Sequence, residues 1–215
     1  MKCPLNNIGL EKIFCLNLER RPDRKEYAMK QFEKIGLEGV EFIKAQDAKA
    51  LGLKSELMDI TPGMIGCYNS HREIMKHCID NDIKSYLVLE DDPLFIEGFN
   101  EFIDMVLKHI PNDWDFAYLG CTEHNGFGTH LKQINDFWVV PRSAWGTQAF
   151  MMRGRAIKKV YDMLENMQMQ IDCQLSLITL PKSGLNYYNV FPSCVEQYWD
   201  IGSDIQQRAN QKIKN

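Results

Sequence analysis

Tyr86-Leu87-Val88-Leu89-Glu90-Asp91-Asp92 is a buried strand that ends in three acids. In open α/β sheets, ligands bind at the carboxyl ends of the strands. Three crowded carboxylates repel one another, so an ordered arrangement needs a cation or strong hydrogen-bond donors. Mg²⁺ and Mn²⁺ take oxygen ligands and commonly bridge one or two carboxylates to substrate phosphates. Side chains alternate along an extended chain, which predicts Glu90 and Asp92 on one face and Asp91 on the other. The resulting acid-x-acid pattern suits a metal–diphosphate site. A strand ending in a solvated acidic turn before Pro93 would have the same sequence.

Outward from this strand the chain alternates. Lys12 to Leu18 reads as a strand, followed by Asp23 and Glu26 as a capping box that opens a helix and Gly36 as its stop. Val40 to Ala45 is the next strand, and short connections of this kind make a right-handed parallel unit. Thr61-Pro62 starts a second helix, with Ile65, Tyr68, Met75 and Ile79 along one side. A third helix carries Phe99 to Ile110, and Phe116 to Leu119 is the fourth strand. Beyond it the alternation turns irregular. Gly120 to Thr129 reads as a loop, Phe137 to Val140 and Gln148 to Met152 as short strands, and Ala156 to Leu164 as a helix. Another helix follows Asp172, Tyr187 to Phe191 is a late strand, and Gln206 to Asn215 is a polar tail. The class is α/β, with a parallel amino-terminal half and a mixed carboxyl-terminal half.

Composition narrows the function. The 215 residues are 45% hydrophobic and 25% charged, enough for one sizeable core. A net charge of −4 provides no basic field for nucleic acid. No apolar run approaches the ~20 residues of a membrane span. Met1 to Leu10 lacks a basic-then-apolar leader pattern. Seven scattered cysteines without a C-x-x-C pair read as reduced thiols in a cytoplasmic compartment. No G-x-G-x-x-G, P-loop or G-x-S-x-G motif occurs.

Several further residues fall on the ligand edge. Arg20, Arg21 and Arg24 sit where the first strand meets the first helix, and guanidinium forks at a helix amino terminus suit phosphate. An arginine cluster on a solvated face is the alternative. Asp47 ends the second strand, where it can accept from ribose hydroxyls or shape a turn. Gly66 and Ser70 stack one turn apart beside His71, leaving room for a ligand or another backbone. Trp145, Gly146 and Thr147 suit a sugar site, with Trp145 as core packing equally compatible.

Taken in order, these pieces resemble glycosyltransferase family 25, which includes bacterial lipooligosaccharide galactosyltransferases and collagen-hydroxylysine galactosyltransferases. Ile13 to Leu18 with Arg20-Arg21-Pro22-Asp23-Arg24 resembles its opening element. Thr61 to Cys67 with Ser70-His71 resembles its G-x-x-G-C-x-x-S-H helix, and Leu87 to Asp92 its L-E-D-D strand. Trp114 to Gly120, Trp145-Gly146-Thr147, the Asp172 segment and Ser203-Asp204-Ile205 follow in register. The resemblance implies a GT-A fold in one domain over residues 1–215. About 12–120 would be the nucleotide-sugar half, 121–205 the acceptor and catalytic half, and 206–215 a tail.

The resemblance also implies a UDP-sugar donor, Mn²⁺ or Mg²⁺, and a glycan or hydroxylated protein as acceptor. Lipopolysaccharide-type glycan synthesis is the implied setting. Donor contacts would come from Asn17, Arg20, Arg21, Arg24, Asp47, Gly66, Ser70, His71, Glu90, Asp91, Trp145, Gly146 and Thr147. Asp92 would be the direct metal ligand, with Glu90 on the ribose or a metal water. Many relatives take a third ligand from a late histidine, whereas the last histidine here is His130, which leaves Asp204 or water for that place. Asp172 is the expected base in an inverting transfer of a hexose, with Asp115 behind it. A metal-dependent phosphohydrolase or nucleotidyltransferase would use the same acids on phosphorus. A catalytically silent sugar-binding protein would keep the fold without turnover.

Overall fold

The computed structural model of the chain describes residues 2–122 and 130–205. Most of the expected loop to Thr129 and the tail from Gln206 to Asn215 lie outside these. The parallel unit forms as the sequence suggests. Strands β1 (Lys12–Asn17), β2 (Val40–Lys44) and β3 (Ser85–Glu90) run parallel in the order β2-β1-β3. Helix α1 (Pro22–Ile35) links the first two and α2 (Pro62–Asp80) precedes the third.

The start of α1 differs from the expected capping box. Pro22 occupies the first turn and Arg21 is the cap residue, without a side-chain cap. Proline there needs no N–H partner. Asp23 is instead taken by the Arg21 guanidinium, with Nη2 donating to Oδ2 at 2.8 Å, and Glu26 pairs with Lys30 one turn on. The helix stops at Gly36 in the left-handed conformation (φ 69°), as read from the sequence. Thr61 caps α2, its hydroxyl accepting from the Met64 N–H at 3.2 Å.

The second half completes one mixed sheet of eight strands. A long strand β8 (Trp145–Arg153) is antiparallel both to β3 and to β5 (Phe116–Thr122). Strands β9 (Tyr187–Val190), β7 (Trp138–Pro141) and β6 (His130–Gln133) extend the edge, giving β2-β1-β3-β8-β5-β9-β7-β6. Helix α3 (Phe99–Lys108) precedes β5 and α4 (Arg155–Met163) follows β8. The helix expected after Asp172 is α5 (Ile171–Gln174), continued by a π-helical turn, Leu175–Thr179, and α6 (Leu180–Ser183).

Two-residue periodicity explains the layering. Ile13, Cys15, Leu87 and Leu89 face one way, against Ala28, Phe32 and Ile35 of α1 and Ile103 and Val106 of α3. Phe14, Leu16, Tyr86 and Val88 face the other, against Tyr68, Ile74 and Met75 of α2 and Ile157 and Val160 of α4. A sheet covered on both faces has strands that read as continuous apolar runs, as β1 and β3 do. No helix among the described residues is long and apolar enough to cross a membrane.

Sequence reasoning missed a small antiparallel ladder. Strand β4 (Pro93–Phe95) pairs with β10 (Val195–Gln197), the register placing Gln197 opposite Pro93. It ties the end of the described chain to the residues that follow the acids. The Tyr198 N–H donates to Asp92 O at 2.8 Å.

Candidate active site

The carboxyl ends of β1, β2 and β3 open into a cleft of about 490 Å³ that reaches the start of α2. Its lining includes Arg20, Arg24, Gln46, Asp47, Lys49, Gly66, Ser70, Glu90, Asp91, Asp92, Gln197 and Asp204. Three of these are cations and five are carboxylates, so the cleft carries excess negative charge.

The chain bends at Asp91, immediately after β3, and this changes the expected geometry. Asp91 and Asp92 converge on one guanidinium instead of facing opposite ways. Arg24 Nη2 lies 2.6 Å from Asp91 Oδ1 and 2.7 Å from Asp92 Oδ2, all three side chains being buried. Asn17 Nδ2 donates to Asp91 Oδ2 at 2.6 Å and to Arg21 O at 3.1 Å, so Asn17 orients the acid. Burial pushes the Asp92 carboxyl up to about 7; Arg24 opposes this, but Glu90 and Asp91 reinforce it. Burial raises Asp91 as well, against the pull of Arg24 and Asn17. One guanidinium does not balance three acids. Asp92 Oδ1 is buried without a hydrogen-bond partner.

Arg20 and Arg21 meet a segment from the far end of the described chain. Arg20 pairs with Asp47 at 2.5 Å and with Asp204 at 2.6 Å, and Arg21 pairs with the other Asp204 oxygen at 2.6 Å. Arg21 Nη2 also donates to Ile201 O at 2.7 Å, and Arg24 Nη1 to Gly202 O at 3.2 Å. The Thr61 hydroxyl donates to Ile205 O at 3.2 Å. Residues 201–205 are thus strapped across the cleft by the arginines and the start of α2. Burial works against the Asp204 charge, yet Arg20 and Arg21 hold its carboxyl below the usual range.

Glu90 stands where the cleft meets a smaller chamber of about 80 Å³, lined among others by Cys67, Gly146, Thr147, Asp172, Gln197 and Trp199. The Thr147 hydroxyl donates to Glu90 Oε1 at 2.6 Å, and Gln197 Nε2 lies 3.5 Å from Oε2. His71 Nε2 lies 3.4 Å from Oε1, its ring tilted against Phe150. Burial pushes Glu90 up, but His71, Thr147 and Arg24 outweigh it and hold the carboxyl below the usual range. Asp172 is oriented by backbone: Cys173 N–H donates to Oδ1 at 2.8 Å and Gly146 N–H to Oδ2 at 3.0 Å. Burial raises its carboxyl despite those two bonds.

The residues present fit a divalent cation. Asp92 offers an unpartnered oxygen in a cluster short of positive charge, which suits a hard ion such as Mn²⁺ or Mg²⁺. Glu90 adds a second carboxylate, and its Oε2, with Gln197 Nε2 at 3.5 Å, keeps a spare lone pair. Asp204 is placed differently from the expected third ligand, with both oxygens on arginines. A softer donor set also meets at Glu90. Cys67 Sγ, His71 Nε2 and a Glu90 oxygen lie within 4.8 Å of one another, with Cys67 and His71 one turn apart on α2. Burial pushes the Cys67 thiol well up, so it stays protonated unless a cation displaces the proton.

Several of the other expected contacts also hold the frame of the site. Gly66 lets α2 lie against the loop after β2, since a Cβ there would meet Gln46 O at 2.4 Å. The Ser70 hydroxyl accepts from Gln46 N–H at 2.8 Å and donates to Gly66 O at 2.6 Å, locking that loop. Asp47 accepts from Ala50 N–H at 3.1 Å, so it shapes a turn and also pairs with Arg20. His71 is buried beneath Glu90 rather than in the cleft lining. Trp145 lines neither chamber, while Gly146 and Thr147 line the smaller. Asp115 braces the sheet by accepting from Arg155 and from Asn186 N–H, away from the cleft.

Gln46, Cys67 and Gln197 line the site without having been singled out as candidates. Cys67 stood inside the quoted G-C element, whereas Gln197 has no local signal because β10 alone carries it inward.

A charged cleft at the parallel strand ends, with a buried acid in a side chamber, defines an α/β protein with its candidate site on the carboxyl edge of the sheet. The model of Glycosyltransferase family 25 (LPS biosynthesis protein) matches residues 10–175, and the chain belongs to that family. It is 31% identical over 158 residues to a glycosyltransferase 25 family member of Aedes aegypti, covering 65% of this chain and 24% of the relative. It is 30% identical over 134 residues to procollagen galactosyltransferase 2 of Homo sapiens, covering 54% and 21%. The chain thus spans about a quarter of the length of these curated relatives. A glycosyltransferase involved in glycosylating the major capsid of PBCV-1 shows 9% identity over 83% of this chain and 80% of that one, with a TM-score of 0.46.

Proposed function

We propose that this chain is an inverting, GT-A-type glycosyltransferase that moves a hexose, galactose or glucose, from a UDP-sugar to a hydroxyl of a glycan or protein acceptor. The observation that carries the reading is the junction at Glu90, where an anionic cleft opens into a chamber holding the buried Asp172. The cleft takes the nucleoside diphosphate, and the chamber takes the sugar and the acceptor hydroxyl. Arg20, Arg21 and Arg24 contact the diphosphate oxygens through guanidinium forks. Mn²⁺ or Mg²⁺, held by Glu90 and Asp92, supplies charge neutralisation on the diphosphate when bound.

Asp172 accepts the acceptor hydroxyl proton as that oxygen bonds to the anomeric carbon. The bond from that carbon to the diphosphate oxygen breaks, and its electron pair leaves with UDP. The two backbone N–H bonds fix the orientation of Asp172 and leave each oxygen a lone pair for the proton. The raised carboxyl of Asp172 makes it a better proton acceptor than a solvated aspartate. His71 and Thr147 hold Glu90 ionised at the chamber mouth.

A second reading, a silent sugar-binding protein, is favoured by the ion pairs that already occupy Arg20 and Arg21. Incubation with UDP-galactose or UDP-glucose, Mn²⁺ and a panel of glycan and peptide acceptors separates the two. The transferase reading expects UDP release coupled to a heavier acceptor. Binding of donor with no product over the full panel supports the silent protein.

A further inference from the structure

Helix α2 brings two soft donors to the acid that borders both the cleft and the chamber. Cys67 and His71 are four residues apart on α2, so they share one face. Cys67 Sγ lies 3.9 Å and His71 Nε2 3.4 Å from Glu90 Oε1, and the three atoms fall within 4.8 Å of one another. Tetrahedral Zn²⁺ binds Cys at about 2.3 Å and His or Glu at about 2.0–2.2 Å, which sets its ligand atoms about 3.3–3.6 Å apart. A small rotation of the Cys67 side chain brings its sulfur into that range.

The surroundings suit an ion better than a plain hydrogen-bond cluster. Cys67 and Glu90 line both cleft and chamber, whereas the buried His71 closes the back of the site, so an ion can enter from the open side. The donors sit on a helix and a strand end, and Phe150 packs on the His71 ring with centroids 5.4 Å apart. Little has to be ordered on binding. A thiolate and a carboxylate balance a dication, so the filled site is neutral. The thiol proton leaves to solvent, and Nε2 binds through its lone pair with the ring proton on Nδ1. The Thr147 hydroxyl, 2.6 Å from Glu90 Oε1 and 4.0 Å from Cys67 Sγ, borders the fourth position on the chamber side.

Donor softness separates this site from the carboxylates beside it. Sulfur and imidazole prefer Zn²⁺, whereas carboxylate and water suit Mn²⁺ and Mg²⁺. We propose that Cys67, His71 and Glu90 form a second metal site, for Zn²⁺ or a similar soft dication, that antagonises the hard ion at Asp92. Glu90 is common to both sites, since Oε1 faces the sulfur and imidazole and Oε2 faces Gln197. Two dications on one carboxylate repel, so each weakens the other by the same factor. The zinc site stands on its own geometry, and the antagonism rests on the transferase reading and its Mn²⁺.

The test uses Co²⁺, a coloured ion that takes the same ligands as Zn²⁺. Titrating the reduced protein with Co²⁺ should give a thiolate-to-cobalt charge-transfer band and the strong visible bands of a tetrahedral ion, and stoichiometric Zn²⁺ should bleach both. Cys67→Ser keeps the size of a half-buried side chain. It should abolish the charge-transfer band and weaken Zn²⁺ by at least the ~10- to 100-fold that losing an outer-shell partner costs. Calorimetry of UDP with Mn²⁺ should show weaker binding in wild-type protein saturated with Zn²⁺, and little change in Cys67→Ser at the same Zn²⁺ concentration.

A charge-transfer band that survives Cys67→Ser puts the ion on another thiol and overturns the proposal. So does zinc antagonism of equal strength in both proteins, which would mean that Zn²⁺ only replaces Mn²⁺ at Asp92. Full-strength binding of both ions together overturns it as well, because Glu90 would not be shared. The two readings fail separately. A cobalt band lost in Cys67→Ser, without any UDP binding, would leave the zinc site standing and sink the transferase, whereas UDP binding and sugar transfer without a cobalt band would do the reverse.

Discussion

The two sides of Glu90 neutralise charge in different ways. On the cleft side, Asp47, Asp91, Asp92 and Asp204 are held by Arg20, Arg21 and Arg24 at 2.5–2.7 Å. On the chamber side, Glu90 and Asp172 accept from Thr147 and from the backbone N–H groups of Gly146 and Cys173. Ion pairs between long side chains can change partners, and a phosphate oxygen can take the place of Asp204 on the same guanidinium. Hydrogen bonds from a strand and a helix start cannot move without moving the fold. The cleft is suited to a ligand that arrives and leaves charged. The chamber is suited to holding one carboxylate still.

The largest effect should come from the fixed side. Asp172→Asn keeps size but can accept from only one of Gly146 and Cys173, since its amide nitrogen replaces the other oxygen, so a thermal-melt control accompanies it. Transfer should fall by ~10²- to 10⁴-fold, the range for loss of a general base, with UDP affinity unchanged. A parallel fall in UDP affinity would move Asp172 into the donor shell and erase the division between the two sides.

Next come the arginines. If the movable pairs receive the diphosphate, Ala at one or more of Arg20, Arg21 and Arg24 should weaken UDP about 10- to 100-fold while uridine changes little. That range corresponds to roughly 1.5–3 kcal/mol for a charge-assisted contact. Arg24 is the buried member, so its variant needs a thermal-melt control. Equal losses for UDP and uridine at all three positions would assign the arginines to scaffold.

The pH dependence of transfer sharpens the chamber side. Burial raises the Asp172 carboxyl, and a base works only when deprotonated, so the rate should climb with pH through a value above the ordinary aspartate ~3.9. The acid limb of kcat, measured with saturating donor and metal, reads it directly. A limb at or below the ordinary value would mean that the chamber is wet and that another group takes the proton.

The smallest effect tests the strap. Asp204→Asn releases Arg20 and Arg21 from a carboxylate that competes with phosphate, so UDP binding should tighten a few-fold. A loss of Mn²⁺ dependence in the same calorimetry would instead return Asp204 to the metal shell that the family resemblance implies.

Local pattern carried most of the amino-terminal half. Apolar runs bounded by Gly36, Thr61-Pro62 and the acids gave β1, α1, α2 and β3 nearly to the residue, because each element there is set by its own periodicity and punctuation. The ligand edge followed, since parallel strands joined by helices must end on the same side. The capping box failed because Asp23 found a stronger partner in Arg21 than the helix backbone could offer. Strands β4 and β10 escaped because three-residue strands have no period to detect. They pair across about a hundred residues, and that pairing alone puts Gln197 beside Glu90.

The sequence by itself determined the α/β class, the parallel half and the presence of acids and arginines on one edge. These depend on residue types at short spacing, which a chain displays before it folds. Only the tertiary structure decided what each charged group faces. Arg24 spans Asp91 and Asp92, Asp204 returns across the chain to Arg20 and Arg21, and His71 lies under Glu90 instead of in the cleft. The physical reason is that a buried charge takes the partner that packing brings within about 3 Å, and sequence distance carries no information about that.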